Sequence, residues 1–248
     1  MSVFTGRMLS ACIAVFASFV VAAPAFGSVV MTGTRVIYPA NARERGIQLT
    51  NEDETPNLVQ IWVDDNDPDS TPDNASAPFV ATPPVFRMEP KAGQAVRLMF
   101  TGQDLPQDRE SVFYLNVLQI PSTDARLAEQ SQFVVMLRNR LKLFYRPEGI
   151  DGGAEGAPKQ LRFRVEQDGQ YWRVTANNPS GYYVSLTSAS IVGAGAEAPF
   201  KPSMVPPRSE AVWSVEHAGK PAGASLRVKF RFVNDYGSET DGEYVIPP

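Results

Sequence analysis

Cysteine and histidine are almost missing: 248 residues hold one of each, Cys12 and His217. Zinc ligation therefore lacks its usual donor set, and no disulfide can form within the chain. A Ser-His-Asp triad would have to use His217 as its base, yet no Gly-x-Ser-x-Gly elbow accompanies it. His217 reads instead as a turn residue within Val215-Glu216-His217-Ala218-Gly219. Walker loops and dinucleotide fingerprints are also missing. No catalytic residue, metal or cofactor is expected. A net charge of -4 offers no counterion release on a polyanion, so nucleic acid is not an expected partner.

Long apolar runs are missing too, except at the start. One cation, Arg7, precedes an apolar run from Met8 to Phe26 that exits through Ala23-Pro24-Ala25 and Gly27-Ser28. That is the layout of a secretory signal over residues 1–27, with cleavage expected just before Ser28. Ser10, Ser18 and Pro24 interrupt the run, and no later segment approaches the roughly 20 apolar residues of a membrane span. No membrane anchor is expected after cleavage. Cys12 lies inside the signal, which leaves the mature protein without a thiol.

The rest of the chain lacks helical periodicity. Leu226, Val228, Phe230 and Phe232 alternate with Arg227, Lys229 and Arg231, and Leu161, Phe163 and Val165 alternate with Arg162 and Arg164. Such period-two runs, bounded by Pro, Gly, Asn and Asp, describe an all-β sandwich. Leu58–Val63 and Val112–Ile120 are apolar on both sides and suit a sandwich interior. Asp64 to Pro78 is rich in Asp, Asn and Pro, too polar to pack, and is expected as an exposed loop. Thr82-Pro83-Pro84 could hold a cis peptide. A glycine-rich stretch, 148–157, divides the chain into a first domain at 28–147 and a second at 158–248.

The segment from Phe133 to Pro147 is the most informative. Phe133, Val135, Leu137 and Leu141 share one face, whereas Val134 and Met136 give way to Arg138, Arg140 and Lys142 on the other. A strand apolar on both faces at its start is either internal or an edge offered to a partner, and the internal placement is the commoner one. Lys142 has the opposite parity from the apolar residues, so serving the same partner would require the strand to twist or change course near the domain junction.

Leu141-Lys142-Leu143-Phe144-Tyr145-Arg146-Pro147 resembles the last strand of the first domain in the periplasmic pilus chaperones, the PapD-like family of the chaperone–usher pathway. Five more segments resemble that family in the same order: Thr34-Arg35-Val36, Thr82 to Pro90, Arg109 to Asn116, Asn177-Asn178-Pro179 through Val184, and Val233-Asn234-Asp235-Tyr236-Gly237. The resemblance spans essentially the whole mature chain. It implies two immunoglobulin-like domains set in an L around a cleft, in a periplasmic protein of a Gram-negative bacterium. It implies a chaperone that caps pilus or fimbrial subunits by donor-strand complementation and hands them to an outer-membrane usher. Arg35 and Lys142 would anchor the subunit's C-terminal carboxylate, Phe133, Val135 and Leu137 would complete its core, and Glu110, Arg146 and Asp235 would join the domains. An exposed apolar edge also invites a self-capping homodimer, or capping by Pro121 to Gln132. The modest length of that segment resembles the short-loop branch of the family. The competing reading is a secreted sandwich protein of structural or adhesive function, disfavoured by the complete second domain and the Arg35/Lys142 pair.

Overall fold

The computed structural model describes residues 29–102, 104–122, 133–193, 196–216 and 226–247. The expected signal, Cys12, His217 and the 123–132 part of the proposed capping segment lie outside the described residues.

Strands dominate, as the alternation predicts. In the first domain they are β1 (Val29–Met31), β2 (Arg35–Pro39), β3 (Arg45–Asn51), β4 (Asn57–Asp64), β5 (Phe79–Thr82), β6 (Val85–Met88), β7 (Gly93–Phe100), β8 (Ser111–Pro121) and β9 (Leu137–Arg146). Two sheets result, ordered β1-β3-β7-β5 and β2-β9-β8-β4-β6. Leu49, Val96 and Leu98 from one sheet pack with Val59, Leu115 and Leu143 from the other in a fully buried core. The Thr82–Pro83 peptide is cis.

The second domain contains one short helix, α1 (Ala157–Gln160), then β10 (Arg162–Asp168), β11 (Tyr171–Asn178), β12 (Val184–Gly193), β13 (Ala196–Phe200), β14 (Met204–Val205), β15 (Ser209–Glu216), β16 (Arg227–Val233) and β17 (Glu239–Val245). Its sheets run β10-β11-β15 and β13-β12-β16-β17, with β14 paired to β12. Phe163, Val174, Val184, Val228 and Phe230 form its core. The glycine-rich 148–157 stretch is not a free tether. Ile150 and Ala157 are buried in this second core, and the Tyr182 hydroxyl donates to the carbonyls of Ile150 and Gly152 at 3.4 and 3.2 Å.

The Asp64 to Pro78 stretch is largely an exposed loop, as its composition predicts, but it is pinned to the sheet: Asp64, which ends β4, is 1% exposed, and Ser70 is buried and accepts from the Trp62 indole at 3.0 Å. That anchorage accounts for the two-sided apolar character of β4. One face enters the core, whereas Trp62 on the other lies under that loop and Leu58 stays exposed.

Candidate functional site: an open strand edge beside two cations

β9 pairs along its whole length with β8, antiparallel, from Leu137↔Gln119 to Tyr145↔Ser111. On its other side β2 runs parallel, but only from Arg35↔Lys142 to Pro39↔Arg146. The chain leaves that edge because β1, just before, pairs with β3 in the opposite sheet. The crossover passes through Gly33, whose φ of +93° lies where other residues are strained. Among the described residues, the edge of Leu137–Leu141 therefore has no strand beside it.

Phe133 to Met136 precede the strand and pair with nothing in the sheet, so the strand starts later than the sequence pattern predicts. Their side chains face water: Phe133 is 93% exposed and Val135 62%, with Met136 and Leu137 also exposed. A groove of about 440 Å³ lies along the open edge, between Val29–Met31 of β1 and Leu137, Asn139 and Leu141 of β9. Further along the same face, Leu143 and Tyr145 enter the core.

Lys142 sits where the open edge ends. The pairing with β8 shows no register shift, so no bulge interrupts the strand between Leu137 and Tyr145. Lys142 projects from the outer face, in register with Arg35 on β2. Among the described residues it has no hydrogen bond or ion pair. Burial lowers its pKa, and the Arg35 charge lowers it further. Burial likewise lowers that of Arg35, against the fields of Asp235 and Glu110. Arg35 donates from Nη1 to the Val233 carbonyl at 2.9 Å and lies 5.8 Å from the Phe144 ring centroid. Its Nε is buried without a partner among the described residues. Arg35 and Lys142 thus stand side by side on adjacent strands, each with donor capacity unused among the described residues.

The remaining cations of that face already have partners. Arg140 makes a fork with Asp64, at 2.6 and 3.0 Å, and lies 3.7 Å from the Tyr114 ring centroid. Arg138 donates to Asn116 Oδ1 at 2.8 Å and the Pro68 carbonyl at 2.9 Å, over Trp62. Burial would raise the Asp64 pKa, but hydrogen bonds from Arg140 and Asn116 outweigh it and hold the carboxyl below its ordinary range. Sequence reasoning missed this cluster. The only local signal was Asp64 closing an apolar strand, where a carboxylate needs a partner.

Arg146, at the end of β9, reaches both domains. Its Nε donates to Glu110 at 2.7 Å, and its two Nη atoms donate to Asp235 at 2.7 and 3.0 Å. Glu110 is 3% exposed and also accepts from the Tyr183 amide at 2.8 Å. Burial pushes the Glu110 pKa up, with Arg146 and that amide opposing. Burial also works against the Arg146 charge, but Asp235 and Glu110 outweigh it and raise its pKa. Arg208, which sequence reasoning also missed, adds an ion pair to Asp108 at 3.2 Å. Between the domains lies a cavity of about 300 Å³, lined by Arg35, Phe144, Lys159, Tyr183, Asp235 and Tyr236.

Comparison with known proteins agrees with this architecture. The model for the pili and flagellar-assembly chaperone, PapD N-terminal domain, matches residues 28–151, and that for the pili assembly chaperone PapD, C-terminal domain, matches 156–244. The chain is 38% identical over 217 residues to the probable fimbrial chaperone YadV of Escherichia coli, covering 86% of this chain and 88% of that one. It is 39% identical over 236 residues to the chaperone protein HifB of Haemophilus influenzae, covering 94% and 93%. The crystal structure of the YadV chaperone superposes with a TM-score of 0.74 at 34% identity, over 89% of this chain and all of that one. The SafB chaperone of Salmonella enterica, solved in complex with the SafA pilin, is represented by a match of TM-score 0.69 at 26% identity, over 90% and 99%. Matched along both domains, the chain belongs to the PapD-like family of pilus-assembly chaperones.

Proposed function

We propose that this pilus-assembly chaperone holds its subunits by lending them β9. The carrying observation is that β2 covers β9 only from Lys142 onward, leaving Leu137–Leu141 open beside two cations. A subunit strand added to that edge gains backbone hydrogen bonds whatever its sequence. Phe133, Val135 and Leu137 are placed to fill a gap in its core, at roughly 1.5–3 kcal/mol for each side chain buried. Arg35 and Lys142 receive the subunit's C-terminal carboxylate, where each charge-assisted bond is worth about 1.5–3 kcal/mol. Together these terms can exceed the ordering and association costs. That SafB is solved with a pilin supports the class of partner.

In this reading residues 1–27 direct export, cleavage before Ser28 releases a periplasmic protein, and the loaded chaperone docks on an outer-membrane usher. Residues 28–147 lend the strand, 148–157 join the domains, and 158–248 form the second domain. Arg146, held between Glu110 and Asp235, sets how the two domains meet. When unloaded, the open edge pairs with that of a second copy, which sedimentation of the free protein tests.

Co-expression with a candidate subunit should yield a soluble one-to-one complex. Arg35→Ala or Lys142→Ala should abolish its recovery while circular dichroism stays unchanged. Full recovery with both variants would reject the anchor.

A further inference from the structure

We infer that the Val233–Gly237 turn of the second domain positions Arg35 for carboxylate recognition, and that Gly237 is the residue allowing it. The inference deepens the anchor reading and rests on it.

Three hydrogen bonds and one close approach hold this turn against the first domain. Its Val233 carbonyl accepts from Arg35 Nη1 at 2.9 Å. Its Asp235 takes both Nη atoms of Arg146. Its Gly237 lies against Thr34, the neighbour of Arg35: a Cβ added at Gly237 would fall 2.7 Å from Thr34 Oγ1, nearer than real Cβ atoms come. The turn is also internally stiff. Asn234 Oδ1 accepts from the amides of Tyr236 and Ser238, both at 3.0 Å, and the Gly237 amide donates to the Asn234 carbonyl at 3.0 Å. Gly237 has φ +85°, where a side chain is strained.

The consequence appears at the guanidinium. One Nη is committed to Val233, and Phe144 lies below, itself 5.7 Å from Tyr183 of the second domain. The buried Nε is left without a partner among the described residues. A planar fork binds a carboxylate well only when its orientation is set beforehand. The second domain supplies that orientation here, so recognition of the client's end depends on how the two domains are docked. Gly237 is a positioning residue.

The test uses the full mature chain and a synthetic strand peptide of alternating apolar and polar residues. It is made once with a free C-terminal carboxylate and once as the amide. Wild type should prefer the acid by about tenfold or more. Gly237→Ala should bring that ratio close to one while amide binding stays unchanged. Adding Thr34→Ala, which removes the Oγ1 contact, should restore much of the preference. The left-handed strain is common to both variants and drops out of the comparison. An unchanged ratio, or equal loss for both peptides, overturns the inference. Should wild type itself show no preference, the anchor reading fails, and the Arg35 Nε–H resonance of the free protein decides the rest. A shift with Gly237→Ala that returns in the double variant upholds the positioning; no shift overturns it.

Discussion

Asp64 governs more of the outer face of β9 than any other single residue, because both Arg138 and Arg140 lean on it. Its replacement by asparagine would leave Arg140 half-satisfied against Tyr114. A buried pair broken on one side costs about 3–5 kcal/mol, and with each arginine about a quarter exposed the expected loss is nearer ~2 kcal/mol. The pH dependence follows from the depressed pKa. The Asp64 contribution is complete above the unfolded-chain value, about pH 4, and is lost as pH falls through the lower folded value. Urea midpoints of wild type and Asp64→Asn should therefore differ at neutral pH and converge in acid. This cluster was not legible beforehand, because Asp64 and Arg140 stand 76 positions apart and neither carries a local pattern. Arg35 and Lys142 were found only through the motifs around them. By residue type they are ordinary surface cations.

Among the elements, β9 combines two regimes in one strand: its second half is core, its first half is surface. Residues spent on a partner contribute little to their own fold, and that separation can be measured. Val135→Asp should leave Tm essentially unchanged, as exposed substitutions usually stay within about 0.5 kcal/mol. The same variant should fail to recover subunit and should sediment as a monomer. A large drop in Tm would instead show that Val135 belongs to the domain's own core. The strands themselves were readable, since burial on one face forces a period of two, and Leu161–Val165 and Leu226–Phe232 follow it. The openness of the edge was not readable. It depends on where β1 goes, which is decided at Gly33 and in the pairing of Val29–Met31 with β3, across the sandwich.

For the whole molecule, the two cores are separate and the contacts between them are mostly polar: the Glu110–Arg146–Asp235 set, the Arg208–Asp108 pair and the Glu110 amide donating to the Gly181 carbonyl at 2.8 Å. An orienting role for these charges can be tested at Glu110. Glu110→Ala should leave the strand content of both domains intact but loosen their arrangement. In small-angle scattering this appears as a larger radius of gyration, and in calorimetry as two resolved transitions. A scattering curve identical to wild type would place the orienting role elsewhere.

The in-register pair Arg35 and Lys142 at one end of an uncovered edge has a geometric corollary. Under the proposed anchoring it gives the edge a zero mark. From Lys142 back to Leu137 is five residue steps, about 17 Å of extended chain. A guest seated in that way would be measured along a ruler, so which of its side chains turn inward would be settled by counting back from its end. Composition then matters less than numbering, and one residue inserted near a guest's terminus would present the opposite face throughout.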